Sequence, residues 1–262
     1  MGYHSRAAGC GVDEWWERVT KELRVPEGTY LPGDDSSLKG KWFRLWLRLA
    51  YRVWRRELAR FFARSPAGRG QPRLLDFGCG PGLLLRFCGE WFPGIRRVGV
   101  DLDSAVLRYA VRRAQGASFV RASASRQDLP VASGSFDVVT ALHIVEHLEY
   151  PDRFLRDARR VLKAGGLLML ATPNPVGLGA RIAGRRWGGL RGDHISLRRP
   201  DEWRVAVERA GFRVRREGTT GLSGVPLLRR MPLAFLHWVP LLVFGFFPWR
   251  QGEAYICLAD AA

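Results

Sequence analysis

The sequence predicts an α/β fold with a doubly wound, mostly parallel sheet. From residue 71 onward, short apolar runs alternate with stretches of helical period, and these runs are LLDF, VGVD, FDVVTAL and LLMLAT. A helix near 200–210 and strands near 212–214 and 254–258 continue the pattern. Strands that alternate with helices form βαβ units and a parallel sheet. At 262 residues the chain is long enough for one large domain with additions.

The pattern divides the chain into an N-terminal extension, residues 1–70, and a larger domain, residues 71–262. Within the extension, residues 38–64 predict a basic amphipathic helix with an apolar face rich in tryptophan. Its basic ridge consists of Lys41, Arg44, Arg48, Arg52 and Arg55. Such a helix suits either a membrane surface or packing against the domain with solvated arginines. Both interpretations stay open on the sequence.

A second apolar segment precedes the last predicted strand. The insert covers residues 225–250, and its core, MPLAFLHWVPLLVFGFFPW at 231–249, is long enough to be tested as a membrane span. Three prolines interrupt it, and one crossing would separate the final strand from its sheet. We therefore expect an interfacial or buried insert that either dips into a membrane or forms a wall of a substrate pocket.

Composition narrows the partners and the compartment. A net charge of +17 suits a phosphate-bearing partner, but only four of the 42 basic residues are lysines, which also fits arginines spread over a solvated surface. The four cysteines form no C-x-x-C pair, and the first residues lack the apolar core of a signal peptide. We expect a cytoplasmic protein, with residues 38–64 and 231–249 as its means of peripheral contact with the inner face of the membrane.

The stretch LLDFGCGPG, residues 74–82, carries the most specific ligand signal. A strand ending in Asp76 runs into Gly78, Gly80 and Gly82, a spacing that permits a tight strand-to-helix turn and lets a ligand lie against bare backbone. The spacing differs from the G-x-G-x-x-G of dinucleotide sites. Asp101 ends the next strand, where an acid can bind both hydroxyls of a ribose. Together the two motifs indicate a site for a nucleoside-bearing ligand.

These motifs resemble the class I S-adenosylmethionine-dependent methyltransferases. The resemblance continues through RQDLP, GSFDVV, VLKAGG and TPNP. Within this family the sequence is similar to the small-molecule type, which includes the ubiquinone-biosynthesis O-methyltransferases and related bacterial enzymes. The resemblance implies a Rossmann-like sheet of seven mostly parallel strands and S-adenosylmethionine (SAM) as cofactor. The implied cofactor-binding residues are Asp76, Gly78, Cys79, Gly80, Gly82, Asp101, Leu102, Ser125 and Leu142. Ser125 departs from the pattern, because many relatives have an aspartate there.

The segment HIVEHL, residues 143–148, spells H-x-x-E-H, which is also an inverted zinc-protease signature. In the methyltransferase pattern it follows the fourth strand and borders the transferable methyl group. Its histidines and that of GDHISL make His143, His147 and His194 candidate catalytic bases. The ubiquinone enzymes have E-x-x-E-H here and can hold a divalent metal. Because His143 stands in the place of the first glutamate, we expect no bound metal. If a metal does bind, Glu146 and His147 are the expected ligands.

The resemblance favours a SAM-dependent methyltransferase that methylates a hydroxyl group of a small molecule. We expect this acceptor to be apolar or linked to a lipid or glycan. An RNA methyltransferase is the first alternative, because of the charge. However, no Asn/Asp-Pro-Pro-aromatic motif follows the fourth strand, so a nucleic-acid partner is not expected. A non-catalytic SAM-binding protein is the second alternative, because binding does not prove turnover. Glu146 and His147 also fit a purely structural role as anchors of a helix start.

Overall fold

A seven-stranded sheet forms the centre of the protein. The computed structural model describes residues 51–64, 70–123, 128–187, 189–190, 192–220, 246–248 and 250–262. The strands are β1 (Arg73–Phe77), β2 (Arg96–Asp101), β3 (Ser118–Arg121), β4 (Phe136–Leu142), β5 (Leu162–Pro173), β6 (Phe212–Thr219) and β7 (Ala254–Ala261). Their order is β3-β2-β1-β4-β5-β7-β6, and only β7 runs antiparallel to its neighbours. The predicted mostly parallel, seven-stranded architecture is confirmed.

Helices cover both faces of this sheet. They are α1 (Arg52–Arg64), α2 (Leu83–Trp91), α3 (Ser104–Arg113), α4 (Pro151–Val161), α5 (Leu178–Ala183) and α6 (Pro200–Arg209). Short 3₁₀ turns lie at Val145–His147 and Gly184–Arg186. The apolar residues of α1, α2 and α3 join one core cluster, and those of α4 and α6 join the other. Neighbouring strand residues alternate between the clusters, as Leu74 and Leu75 do, because successive side chains of a strand point to opposite faces.

The strand order places a crevice at the carboxyl ends of β1 and β4. The chain proceeds from β1 outward to β2 and β3, then returns to add β4 on the other side of β1. In open α/β sheets, ligands bind where the order reverses in this way. The residues that end β1, β2, β4 and β5 therefore meet at one edge of the sheet.

Helix α1 packs on the domain. Val53, Leu58 and Phe61 are buried in the same cluster as α2 and α3, and the Glu57 carboxylate accepts a hydrogen bond from Arg216 on β6 at 2.7 Å. The packing predicted as one of two alternatives is thus observed for residues 52–64. Positions 38–50 lie outside the described residues. Contact of the outward basic face with a membrane stays a prediction.

Several strands extend further than the sequence pattern indicates, and β5 and β6 do so most. The LKAGG segment joins β5, because Leu162 already pairs with Phe136 of β4 before the register shifts. Strand β6 pairs with β7 along its whole length, and its last residue, Thr219, also forms an isolated β-bridge with Phe247. Most of the insert at 225–250 lies outside the described residues. Among the helices that are described, none is long and apolar enough to cross a bilayer.

Candidate functional site

The glycine loop lies directly after β1 and turns the chain into α2. Gly78, Gly80 and Gly82 all have positive φ, which L-residues with a β-carbon rarely adopt. A β-carbon at Gly80 would meet no protein atom within 4 Å, whereas one at Gly78 would overlap the side chain of Ile144. The open space above Gly80 is what a cofactor lying against the loop requires. The loop therefore fits the predicted cofactor role.

Asp101 connects the end of β2 to this loop. Its Oδ2 accepts a hydrogen bond from the Gly80 amide at 2.9 Å, and its Oδ1 accepts one from the Asp103 amide at 3.0 Å. A carboxylate offers about four lone-pair positions, so each oxygen keeps acceptor capacity for a hydroxyl. Asp101 is held in place and can still bind a ribose.

Asp76 is a buried carboxyl at the end of β1. Its side chain accepts a hydrogen bond from the Thr140 hydroxyl at 2.6 Å, and no cation contacts it among the described residues. Burial raises the pKa of Asp76 to about 7, the hydrogen bond from Thr140 opposes the rise, and the charge of Asp101 adds to it. Such a carboxyl suits the ammonium of a bound amino acid, because a cation would stabilise its charged form.

The remaining predicted cofactor residues differ in their surroundings. The Cys79 side chain is buried against Gly99, and burial raises the pKa of its thiol, so only its backbone belongs to the loop surface. Leu102 is exposed beside Asp101, and Leu142 is half-buried at the end of β4. Ser125 lies outside the described residues. The cofactor roles of these four residues stay predictions, as do those of Asp76, the loop glycines and Asp101.

The HIVEHL segment touches the glycine loop directly through Ile144 and Gly78. Its first residue, His143, has φ 56°, the one positive φ of a non-glycine residue in the described ranges. The His143 amide donates to the Ala171 oxygen of β5 at 2.8 Å, while its ring is more than half exposed. Its Nδ1 atom is 3.7 Å from Glu146 Oε1, too far for a hydrogen bond. The ring of His143 therefore lies at the crevice without a hydrogen bond to Glu146.

His147 and His194 are brought together from segments far apart in sequence. Their ring centroids are 4.6 Å apart with planes at 82°. The Nδ1 of His147 is 2.9 Å from the Asp193 oxygen, and the Nδ1 of His194 is 2.8 Å from the Gly189 oxygen. Because a carbonyl only accepts, both Nδ1 atoms carry the proton in neutral rings. Each Nε2 therefore presents a lone pair.

Glu146 completes a cluster with these two rings. It is 1% exposed, and its Oε2 accepts a hydrogen bond from the Thr172 hydroxyl at 3.2 Å. One ligand atom from each of Glu146, His147 and His194 lies within 4.8 Å of the other two. Two imidazoles and one carboxylate within this distance form a donor set that divalent metals use. The residues fit a metal, with His194 in addition to the two predicted ligands.

Sequence patterns alone left several of these residues unassigned. Thr140 and Thr172 donate hydrogen bonds to Asp76 and Glu146, and each is a fully buried hydroxyl residue that follows a run of apolar residues near the end of its strand. That contrast was the available signal. The backbone carbonyls that contact the two histidines could not be predicted from the sequence, because every residue has the same backbone carbonyl group.

The comparisons with known proteins agree with this geometry. A methyltransferase domain family matches residues 46–217. The chain therefore belongs to the SAM-dependent methyltransferases, and its cofactor is S-adenosylmethionine. It is 31% identical over 230 residues to a ubiquinone biosynthesis O-methyltransferase of Caulobacter vibrioides, covering 83% of this chain and 82% of that protein.

Two further similarities are more limited. Over 105 residues the chain is 35% identical to a malonyl-[acyl-carrier protein] O-methyltransferase of Legionella pneumophila. That match covers 39% of this chain and only 37% of the Legionella protein. A SAM-dependent methyltransferase structure from Archaeoglobus fulgidus has a TM-score of 0.56 at 21% identity, covering 84% of this chain and 98% of that one. It shows the shared fold.

Proposed function

We propose that the protein transfers the methyl group of SAM to a hydroxyl oxygen of a small-molecule acceptor. One observation carries the proposal: the His147 and His194 rings converge beside the cofactor loop with their Nε2 lone pairs available. The segment that carries His147 also contacts the loop through Ile144 and Gly78, so base and cofactor site are parts of one crevice. This arrangement suits removal of a proton from an acceptor next to the methyl donor.

When bound, SAM supplies an electrophilic methyl group. The chain's part is first to position the two reactants, through the glycine loop and the carboxylates of Asp76 and Asp101. Its second part is to accept the acceptor's proton at Nε2 of His147 or His194. A positioned base typically contributes about 10²–10⁴-fold.

The imidazole pair distinguishes two kinds of oxygen acceptor. The relatives include an O-methyltransferase of ubiquinone biosynthesis and one named for malonyl-[acyl-carrier protein]. A carboxylic acid has a pKa near 4 and is ionised at neutral pH, so its methylation needs no base. A hydroxyl holds its proton and benefits from one. The two lone pairs therefore support a hydroxyl as the acceptor.

Exposed apolar residues support an acceptor that is apolar or linked to a lipid or glycan. Ile182, Leu190 and Ile195 are each more than half exposed, and they lie on the same chain segment as His194. Ile195 directly follows His194 in the sequence, so an acceptor beside that ring would meet an exposed apolar side chain. In keeping with the sequence, we place the protein in the cytoplasm, with residues 38–64 and 231–249 contacting the inner face of the membrane.

A metal-assisted form of the same reaction is the second candidate. The donor atoms of Glu146, His147 and His194 lie within 4.8 Å of one another. These three residues would hold a divalent cation, and a bound cation lowers the pKa of a hydroxyl that it contacts. The same three residues would then be ligands rather than bases.

The proposal is tested by incubating the protein with methyl-labelled SAM and separate pools of phenols, lipid-linked hydroxyl compounds, carboxylic acids and RNA. A product heavier by one CH₂ in a hydroxyl pool is the expected result. Label in RNA alone would overturn the acceptor class. Label in carboxylic acids that does not depend on His147 and His194 would show that the base is not needed. SAM binding by calorimetry without label in any pool would favour a non-catalytic protein.

A further inference from the structure

We infer that Trp187 and Glu253 are positioning residues that hold the ring of His194 in place. The inference rests on the proposed function only in that His194 is the residue whose orientation matters to the reaction. The contacts run from Glu253, at the start of β7, through the indole of Trp187 to Gly189 and from there to His194. None of these four residues belongs to the cofactor loop or to the HIVEHL segment.

The first contact is a hydrogen bond between side chains far apart in sequence. The indole N–H of Trp187 donates to Glu253 Oε1 at 2.6 Å. Trp187 is 4% exposed, and Glu253 Oε2 is buried with no hydrogen-bond partner among the described residues. Glu253 as a whole is half-buried, and an oxygen that is buried without a hydrogen-bond partner costs free energy. This arrangement is understandable if the carboxyl group fixes the direction of the indole.

The second contact is steric and joins the indole to Gly189. A β-carbon at Gly189 would overlap the six-membered ring of Trp187, so the glycine backbone lies flat against the indole. The carbonyl of this same Gly189 is the partner of His194 Nδ1 at 2.8 Å. The position of the indole therefore determines where that carbonyl lies. The carbonyl in turn determines the tautomer and the direction of the His194 ring.

The Glu253 end of this series of contacts is held to the sheet by hydrogen bonds. Asn174, which follows β5, is fully buried, and its side-chain amide donates to the carbonyl oxygens of Arg250 and Gly252 at 2.9 and 2.8 Å. The backbone N–H of Asn174 also donates to the backbone carbonyl oxygen of Glu253 at 2.9 Å. Glu253 is thus held at the carboxyl end of β5, on the same edge as the candidate site. Through Trp187 this fixed point supports a histidine that lies on an irregular segment.

The test uses ¹⁵N-labelled protein and variants that separate the indole N–H from the indole ring. Trp187→Phe keeps an aromatic ring and removes the donor, Glu253→Ala removes the acceptor, and Glu253→Gln keeps an acceptor. The matched control is Trp203→Phe, because Trp203 is also fully buried but its indole nitrogen has no hydrogen-bond partner in the described part of the chain. Long-range ¹H–¹⁵N spectra report the tautomer of each histidine, and a His194→Ala spectrum assigns the signal of His194.

In the unaltered protein we expect His194 protonated at Nδ1 alone. Trp187→Phe and Glu253→Ala should convert this signal to an average of both tautomers and lower kcat by on the order of 10- to 100-fold, with the KM for SAM unchanged. Glu253→Gln should restore both properties to within about twofold, and Trp203→Phe should leave the signal unaltered. If Trp187→Phe does not fold, the Glu253 pair carries the comparison.

Two results would overturn the inference. One is an unchanged His194 signal in both Trp187→Phe and Glu253→Ala. The other is a loss of kcat in Glu253→Gln as large as in Glu253→Ala. Failure of the proposed function looks different: His194→Ala would then retain full activity, while the dependence of the His194 signal on Trp187 and Glu253 would still be measurable.

Discussion

The Nδ1 atoms of His147 and His194 both lie against backbone carbonyls, at 2.9 and 2.8 Å, while the two rings meet edge to face. Hydrogen bonds of this kind select one tautomer for each ring. One ligand atom from each ring lies within 4.8 Å of the other and of the buried Glu146 carboxylate.

Removing either imidazole should slow methyl transfer without weakening cofactor binding. For His147→Ala and His194→Ala we expect kcat to fall by roughly 10²-fold or more, because a positioned base is lost. SAM affinity, measured by calorimetry, should stay within about twofold, since neither ring belongs to the cofactor loop. The control is Val205→Ala on the surface of α6. Full activity of both histidine variants on a hydroxyl acceptor would contradict the assignment.

Cofactor binding should weaken as the pH falls. The pKa of Asp76 is raised to about 7 by burial, and a bound ammonium favours its charged form. Below pH 7 the carboxyl must lose a proton to bind, so the Kd for SAM should rise by about tenfold for each pH unit. Calorimetry in buffers of different ionisation enthalpy should record close to one proton released per SAM at pH 6. A Kd independent of pH between 5.5 and 8 would be incompatible with this coupling.

The same carboxyl should make the cofactor-free protein less stable at higher pH. Its folded pKa of about 7 lies well above the ordinary pKa of an aspartate, 3.8, so the folded state binds the proton more tightly than the unfolded state. This contribution to stability is complete below about pH 4 and is lost as the pH rises through about 7. Asp76→Asn should therefore stabilise the cofactor-free protein at pH 8, by up to about 4 kcal/mol, and abolish SAM binding.

Denaturant unfolding of both proteins at pH 5 and pH 8 measures this difference. The advantage of the asparagine variant should be larger at pH 8 than at pH 5. An equal difference at the two pH values would mean that Asp76 is not the titrating group.

Gly80 should respond to substitution through the cofactor and not through the fold. Its φ is +50°, and a β-carbon there meets no protein atom within 4 Å. Gly80→Ala should cost about 1 kcal/mol of stability, the usual penalty for an L-residue in this conformation, and weaken SAM binding by more than tenfold.

Gly165 offers a matched control, because it has φ +70° and equally open surroundings and lies among the first residues of β5, away from the glycine loop. Gly165→Ala should cost a similar amount of stability and leave the Kd for SAM unchanged. Equal Kd values for the two variants would show that the space above Gly80 is not cofactor space.

Metal dependence has a direct measurement. If the metal-assisted form operates, the protein should bind one equivalent of Zn²⁺ or Co²⁺, and the d–d absorption of Co²⁺ should report nitrogen ligands. His194→Ala should weaken this binding by at least tenfold. Chelation should then abolish activity, and adding the metal back should restore it. Full activity after complete chelation would leave the imidazoles as bases.

Local spacing in the sequence determines more of the cofactor half of the candidate site than of the acceptor half. Asp76, the loop glycines and Asp101 come from consecutive strand–turn–helix units, so their proximity could be predicted from the sequence, and their cofactor roles stay predictions. His147 and the Asp193 carbonyl are 46 residues apart, and Trp187 and Glu253 are 66 apart. No periodicity links such pairs, because tertiary packing brings them together. The predicted catalytic set included both converging histidines, but their convergence and the role of Thr172 required the fold.

Element boundaries show the same division. Strand β3 has only four residues, too few for a distinct alternation, and it was not singled out by the pattern. Strand β6 is exposed or half-buried along most of its length, which hides it from an apolar search, but pairing with β7 extends it to eight residues. Neighbouring strands thus supply what the local sequence lacks.

His143 gives the crevice a property that matters to anyone who engineers this protein. A histidine at φ 56° occupies a conformation that glycine adopts at no steric cost, and the penalty for other residues is roughly 1–2 kcal/mol. His143→Gly should therefore raise the melting temperature, whatever it does to turnover. The end of β4 is a position where sequence searches for thermostability and searches for activity would select different residues.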